Sequence, residues 1–176
     1  MIRIFKNRPP LKFRLDESVD NIFDLLKKHF PANVVDSKSL DFEFDSYNLF
    51  KIFDILNFHF FGNALERIQF AMCSAEDFRE LLLKLDKPEK AKLKHYAAYM
   101  PQYINSENKL VKQTIFIIDS YGKMTFKFAV SVLMHEMIHY CDFTCGDLVN
   151  IVQNGKYKPG VEHRTDTFNK YAAFAR

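Results

Sequence analysis

The chain has no apolar run near the roughly 18 residues that a membrane span needs. A membrane-embedded protein is therefore not expected. Its first residues, Met1-Ile-Arg-Ile-Phe-Lys, lack the long apolar core of a secretory signal, so we expect none. Cysteine is scarce: Cys73, Cys141 and Cys145 cannot all pair within one chain, which points to a reducing compartment. Together these absences lead us to expect a cytoplasmic protein. Tryptophan, internal repeats and low-complexity tracts are also missing. Charge is mild, at net +3 and pI about 8.6. Lys and Arg are spread along the chain, with one denser stretch from Lys84 to Lys94 that Asp86 and Glu89 dilute. A dedicated nucleic-acid binder shows a stronger clustered basic footprint, so DNA is possible as a partner but not signalled. A solvated helical face is the better reading of that stretch.

What the chain does have is apolar bulk. At 176 residues and 48% hydrophobic it can bury a real core, and one domain spanning 1–176 is expected. Nineteen Phe and eight Tyr make that core aromatic-rich.

Residues 2–15 read as extended, broken at Pro9-Pro10. Ser18 is placed to cap a first helix with apolar positions Val19, Ile22, Phe23, Leu26 and Phe30, which Pro31 stops. Leu40-Asp-Phe-Glu-Phe alternates like a short strand or linker. A second helix, roughly Ser46 to Phe60, is apolar on most of its surface and should be buried, with Gly62 suited to a left-handed residue at its end. His59, near that end, reads as a partly buried structural histidine. Leu65 to Cys73 alternates as a strand. Ser74-Ala-Glu-Asp opens a third helix with a near capping box, running from Phe78 to Leu85 and stopping before Pro88. Segments His95–Met100 and Val111–Asp119 read as strands around a turn-rich loop. A long helix then starts near Thr125 and ends at Gly146. Turn signals at Asn154-Gly155 and Pro159-Gly160 precede a last short helix.

The long helix carries His135-Glu136-Met137-Ile138-His139 inside the apolar run Phe128 to Tyr140. Residues four apart lie one turn apart on the same helix face, so both imidazoles can address one point. Neutral imidazole is a good zinc ligand, and Glu136 is adjacent, suited to act as a base on water. With six His and nine Glu, chance placement yields this pattern in only about one such chain in a hundred. Polar groups in an oily helix also need a reason, because burying them unpaired is costly. A catalytic zinc takes three protein ligands and leaves one position open. Downstream candidates for the third are Cys141, Asp142, Cys145, Asp147, Glu162, His163 and Asp166. Asp142 and Cys145 continue the same helix and are poorly placed; they read as a surface carboxylate and a buried thiol. His163, beyond two turn signals and just before a helix, is favoured, with Glu162 and Asp166 as alternatives.

Four blocks resemble the SprT-like (Spartan-type) zinc metallopeptidase domain, a zincin-like group. Leu49–Leu65 is similar to its opening helix followed by F-x-G-x-L and a strand. Ile115-Phe-Ile-Ile-Asp precedes the motif helix as the family's strand does, and Val132–His139 is close to its L-L-H-E-M-I-H. Glu162–Phe168 is similar to its third-ligand segment, G-H-G-x-x-F, without the glycines and with Phe168 one residue further along. The resemblance covers about residues 46–175, leaving 1–45 as an N-terminal addition.

This resemblance implies an α+β, zincin-like fold in which a small antiparallel or mixed sheet packs against the central H-E-x-x-H helix and several others. It implies Zn2+ on His135, His139 and His163, Glu136 as catalytic base, and hydrolysis of a protein or peptide substrate. The peptide would add along a sheet edge, at Ile115–Ile118 or Ala97–Tyr99. Either a tyrosine or Arg164 would stabilise the oxyanion. Two other expectations stand beside this one: a non-catalytic zinc-binding structural or interaction protein on the same fold, of phage or viral kind, and a protease acting on DNA-bound proteins.

Overall fold

The structure is a computed structural model, and it describes residues 3–4, 21–39, 45–84, 98–99, 114–118, 125–154, 156 and 161–172. In chain order these form β1 (Arg3–Ile4), α1 (Ile22–Lys27), α2 (Ala32–Val35), α3 (Ser46–Phe61), β2 (Gln69–Cys73), α4 (Ala75–Lys84), β3 (Ala98–Tyr99) and β4 (Thr114–Ile118). There follow α5 (Phe126–Cys145), α6 (Asp147–Gln153), a 3-10 turn (Val161–His163) and α7 (Asp166–Ala172). The architecture is mixed and helix-rich, of the α+β class. Leu40–Phe44, most of Lys84–Lys94 and the loop before β4 lie outside the described residues.

The helices begin and end where side chains can satisfy free backbone groups. Asp45 caps α3 by accepting the Asn48 N–H at 2.6 Å, and Gly62 closes it in the left-handed conformation at φ 59°. Ser74 Oγ accepts the Asp77 N–H and donates to the Asp77 carboxylate, so the expected capping box on α4 is present. That helix starts at Ala75, three residues before the expected Phe78. Thr125 caps α5 through the Phe128 N–H. α1 differs from expectation: Asn21, accepting from the Phe23 N–H at 2.8 Å, is its cap, while Ser18 and Val19 lie outside the described residues. α1 ends at Lys27, with Lys28 as its C-cap, before it reaches the expected stop at Pro31, which instead opens the short α2, because a proline ring suits a helix start.

The strands form one sheet in the order β1-β2-β4-β3. β2 and β4 are parallel, with Phe70 opposite Ile115, and both outer pairs are antiparallel. The chain passes through α4 between the parallel strands, as such a pair requires a crossover. Strand pairing starts at Gln69 rather than Leu65, because the Asn57 side chain takes up both backbone groups of Leu65 (N–H at 3.1 Å, C=O at 2.8 Å). With β4 paired on both sides, Ile115–Ile118 is not an edge; among the described strands, Ala98–Tyr99 lies at one end of the sheet.

One hydrophobic cluster joins nearly everything. α3 contributes Leu49, Phe50, Ile52, Phe53, Ile55 and Leu56, all buried as its sequence requires. Phe70 of β2 meets Phe50 and Phe53 edge-on at 5.1 and 5.6 Å. The buried Arg67–Asp54 ion pair lies beside them, its guanidinium 5.0 Å from the Phe50 ring centroid. From α5 come Ala129, Val130, Leu133, Met134, Met137 and Ile138. The described N-terminal helices are integral to this cluster. Ile22, Leu25, Leu26 and Val35 are fully buried in it, and Phe30 meets Phe126 edge-on at 5.2 Å. Asp36 accepts from Lys27 and Lys127, linking the end of α2 to the start of α5. Among the described residues no helix is long and apolar enough to cross a membrane.

If residues 21–35 are part of the core, Leu25→Ala should lower stability by about 2–5 kcal/mol, as emptying a buried leucine site does. Urea denaturation checks this, and an unchanged midpoint would show these helices to be dispensable.

Candidate metal centre

α5 is buried along most of its length, and its polar residues gather on one stripe. His135, His139 and Asp142 are spaced four and three apart, which places them on a single face. Glu136 follows His135 and is itself buried, at 7% exposure. The chain leaves α5 at Gly146, runs through α6 and comes back as the 3-10 turn that carries His163.

There the three histidines meet. One ring nitrogen from each of His135, His139 and His163 can be chosen so that all lie within 4.8 Å of one another. The Nε2 atoms of His135 and His139 are 3.0 Å apart. The His163 ring centroid lies 5.4 Å from that of His135 and 4.7 Å from that of His139. Two nitrogens bound tetrahedrally to one zinc ion would be about 3.3 Å apart, from Zn–N lengths near 2.0–2.1 Å. The donor set, three imidazoles, suits a borderline divalent metal. The rings differ in access: His139 is buried, His135 half-buried and His163 exposed.

Phe168 underlies all three rings. Its centroid is 5.4, 5.0 and 5.0 Å from those of His135, His139 and His163. It thus presents a buried apolar ring to the cluster. Burial, and secondarily the neighbouring His163, holds His135 below the ordinary histidine value. The neutral ring favoured in this way is the form that binds metals.

Among the other candidates, Cys141 is buried within α5 and Asp147 and Asp166 are exposed at the starts of α6 and α7. The side chains of Cys145 and Glu162 lie outside the described residues. Arg164 is exposed, one residue beyond His163. His59 is half-buried, as expected, with its ring 6.4 Å from that of His29.

Asp142 corrects the sequence reading. It is not a surface carboxylate but fully buried, at 0% exposure. One oxygen accepts the Leu148 N–H at 3.0 Å, and the other accepts the Thr165 hydroxyl. Burial raises its pKa against the lowering effect of those bonds. Thr165 in turn accepts the Phe168 N–H at 3.1 Å and so caps α7. Alongside, Asp147 accepts the Thr167 N–H at 2.8 Å. The turn signals at Asn154-Gly155 and Pro159-Gly160 give no sign of α6, which supplies the Leu148 partner. The cap was legible, since Thr165-Asp-Thr-Phe has a threonine three residues before a buried aromatic.

Gly146 lets these pieces approach. A Cβ there would lie 2.6 Å from Asp142 Oδ1, 2.7 Å from its Cα and 2.9 Å from Thr167 Cγ2.

No family model, curated protein or solved structure matches this chain.

Two expectations follow. Gly146→Ala should destabilise the protein by about 1–3 kcal/mol, the usual effect of forcing atoms into a packed site; calorimetry that finds no loss would contradict the close approach. The second concerns pH. A depressed histidine pKa means that the unfolded chain takes up a proton near pH 6.5 while the native chain does not. Stability of the metal-free protein should therefore fall as pH drops through 6.5 and level off below the native pKa. His29 and His59, lowered chiefly by burial, act in the same sense. His135→Gln should remove part of that slope in urea titrations; an unaltered slope would rule out its share.

Proposed function

We propose that this protein is a zinc-dependent metallopeptidase of the SprT-like, zincin-like kind. The observation that carries the reading is the convergence of His163 on the two histidines of an H-E-x-x-H helix, with ligand nitrogens all within 4.8 Å. A chance motif has no reason to attract a third imidazole from 24 residues further along the chain. Exposure of His163 supports a site that a substrate can reach, rather than one closed by protein on every side.

His135, His139 and His163 would hold the ion. Zinc bound there supplies a Lewis acid that brings the pKa of a water toward neutrality and polarises a peptide carbonyl. Glu136 is the general base: its carboxylate takes the proton from that water and returns it to the departing amine. Phe168 presents a buried apolar ring to the imidazole cluster, and the helix fixes two of the three rings in advance. A peptide or unfolded protein segment is the substrate. Its backbone would pair with Ala98–Tyr99, the strand at one end of the described sheet, next to β4.

The purified protein should carry one zinc per chain, and His135→Ala should lose it. Glu136→Gln should keep the zinc yet lower cleavage of an unfolded protein by about 10²–10⁴-fold, the range for a lost general base. Metal analysis paired with a cleavage assay separates the outcomes. Absence of stoichiometric zinc would sink the proposal, while full zinc without Glu136-dependent cleavage would leave a non-catalytic zinc protein.

A further inference from the structure

The two helical ligands need little help, because the backbone of α5 fixes their positions. His163 is different. It stands on a three-residue 3-10 turn, is exposed, and has no long element of its own. Two residues on, Thr165 is buried at 6% exposure, and its hydroxyl donates to the fully buried Asp142 of α5. Asp142 lies three residues beyond His139 on the same stripe, and its other oxygen receives the Leu148 N–H at the start of α6. The Thr165 oxygen also accepts from Phe168, whose ring contacts all three histidines. One carboxylate therefore ties the ligand-bearing helix to both ends of the segment that brings in the third imidazole.

We infer that Asp142 and Thr165 form a latch that positions His163 and so sets the affinity of the three-histidine site for its metal. They are positioning residues, acting through His163 rather than on the ion. The inference rests on the reading of these histidines as a metal site. Hydrogen bonds that orient metal ligands commonly account for about 10–100-fold in affinity. This bond differs from the usual arrangement in gripping the backbone turn beside the ligand rather than the imidazole itself. A carboxylate in that place is otherwise hard to justify, since a buried acid is expensive unless its bonds matter to the fold or the site.

A double-mutant cycle tests the latch, with zinc affinity measured by chelator competition on the full chain. Thr165→Val should weaken zinc binding about 10–100-fold, and Thr165→Ser, which keeps the hydroxyl, should restore most of it. In a His163→Ala background, Thr165→Val should change affinity little, because the ligand it positions is gone. Unchanged affinity in Thr165→Val, or an equal loss in both backgrounds, would overturn the latch and leave only a general effect on folding. His163→Ala binding zinc as tightly as the intact chain would instead refute the metal-site reading beneath it. Should Thr165→Val not fold, hydrogen exchange on the intact protein decides. Added zinc should slow exchange of the Leu148 and Phe168 amides in the intact chain but not in His163→Ala, and unaltered exchange in the intact chain would also overturn the latch.

Discussion

A helix buried on most sides has to find partners for every polar side chain it carries, and α5 carries four of them in eight residues: His135, Glu136, His139 and Asp142. Leaving any of them buried and unsatisfied would cost on the order of 1–3 kcal/mol, a sizeable share of a domain's net stability. The chain gathers three onto one stripe and lays a later segment along it. His163 comes opposite the two histidines, and Thr165 opposite Asp142. The register of that segment is set twice over, once by the Asp142–Thr165 bond and once by Asp147 and Thr167. The rest of the molecule provides the apolar surround. α2, α3 and β3 pack against other faces of α5.

That surround shows why the described N-terminal helices are not an appendage. Had α1 and α2 merely lain on the surface, Leu25, Leu26 and Val35 would retain some exposure; all three are at 0%. Phe30 against Phe126 and Asp36 between Lys27 and Lys127 place these helices at the N-terminal end of α5. The exposed Asp36 pairs contribute little energy, since solvent screens them. The apolar contact does the holding. The start of α5 is thus clamped by one part of the chain and its end by another, with His135 and His139 between.

How much of this was legible follows from whether the signal was local. Capping boxes, helix spans and the Gly62 stop are written in neighbouring residues, so α3, α4 and α5 fall within a few residues of expectation. His135, Glu136 and His139 were visible for the same reason: one helical turn puts them together. His163 was a weaker inference, because 24 residues separate it from His139 and nothing local fixes where such a loop returns. Asp142 was misread because a carboxylate is usually solvated, and only a segment packed against it makes burial tolerable. The same gap concealed α6: Asn154-Gly155 announces a turn, but the apolar Leu148 that anchors the preceding helix in the core is meaningful only once that core is known. The edge assignment of β4 failed on topology, since strand order in a mixed sheet is not encoded in any single strand.

The gradient of burial across the three imidazoles has an energetic meaning. His139 is buried, His135 half-buried and His163 exposed, so fixed backbone gives way to side-chain ties in the same order. A metal at this point would connect the long helix α5 to the short turn that carries His163. Because ligand binding to the native state adds to folding stability, that connection would strengthen the fold. Phe168 limits how far the turn can drift when no ion is present, since leaving the three rings would expose a phenyl group that is now 9% exposed. The apolar contact keeps His163 near, while the hydrogen bonds of Asp142 and Thr165 decide its register. Proximity from packing and orientation from polar bonds are separate requirements, and this segment meets them with different residues.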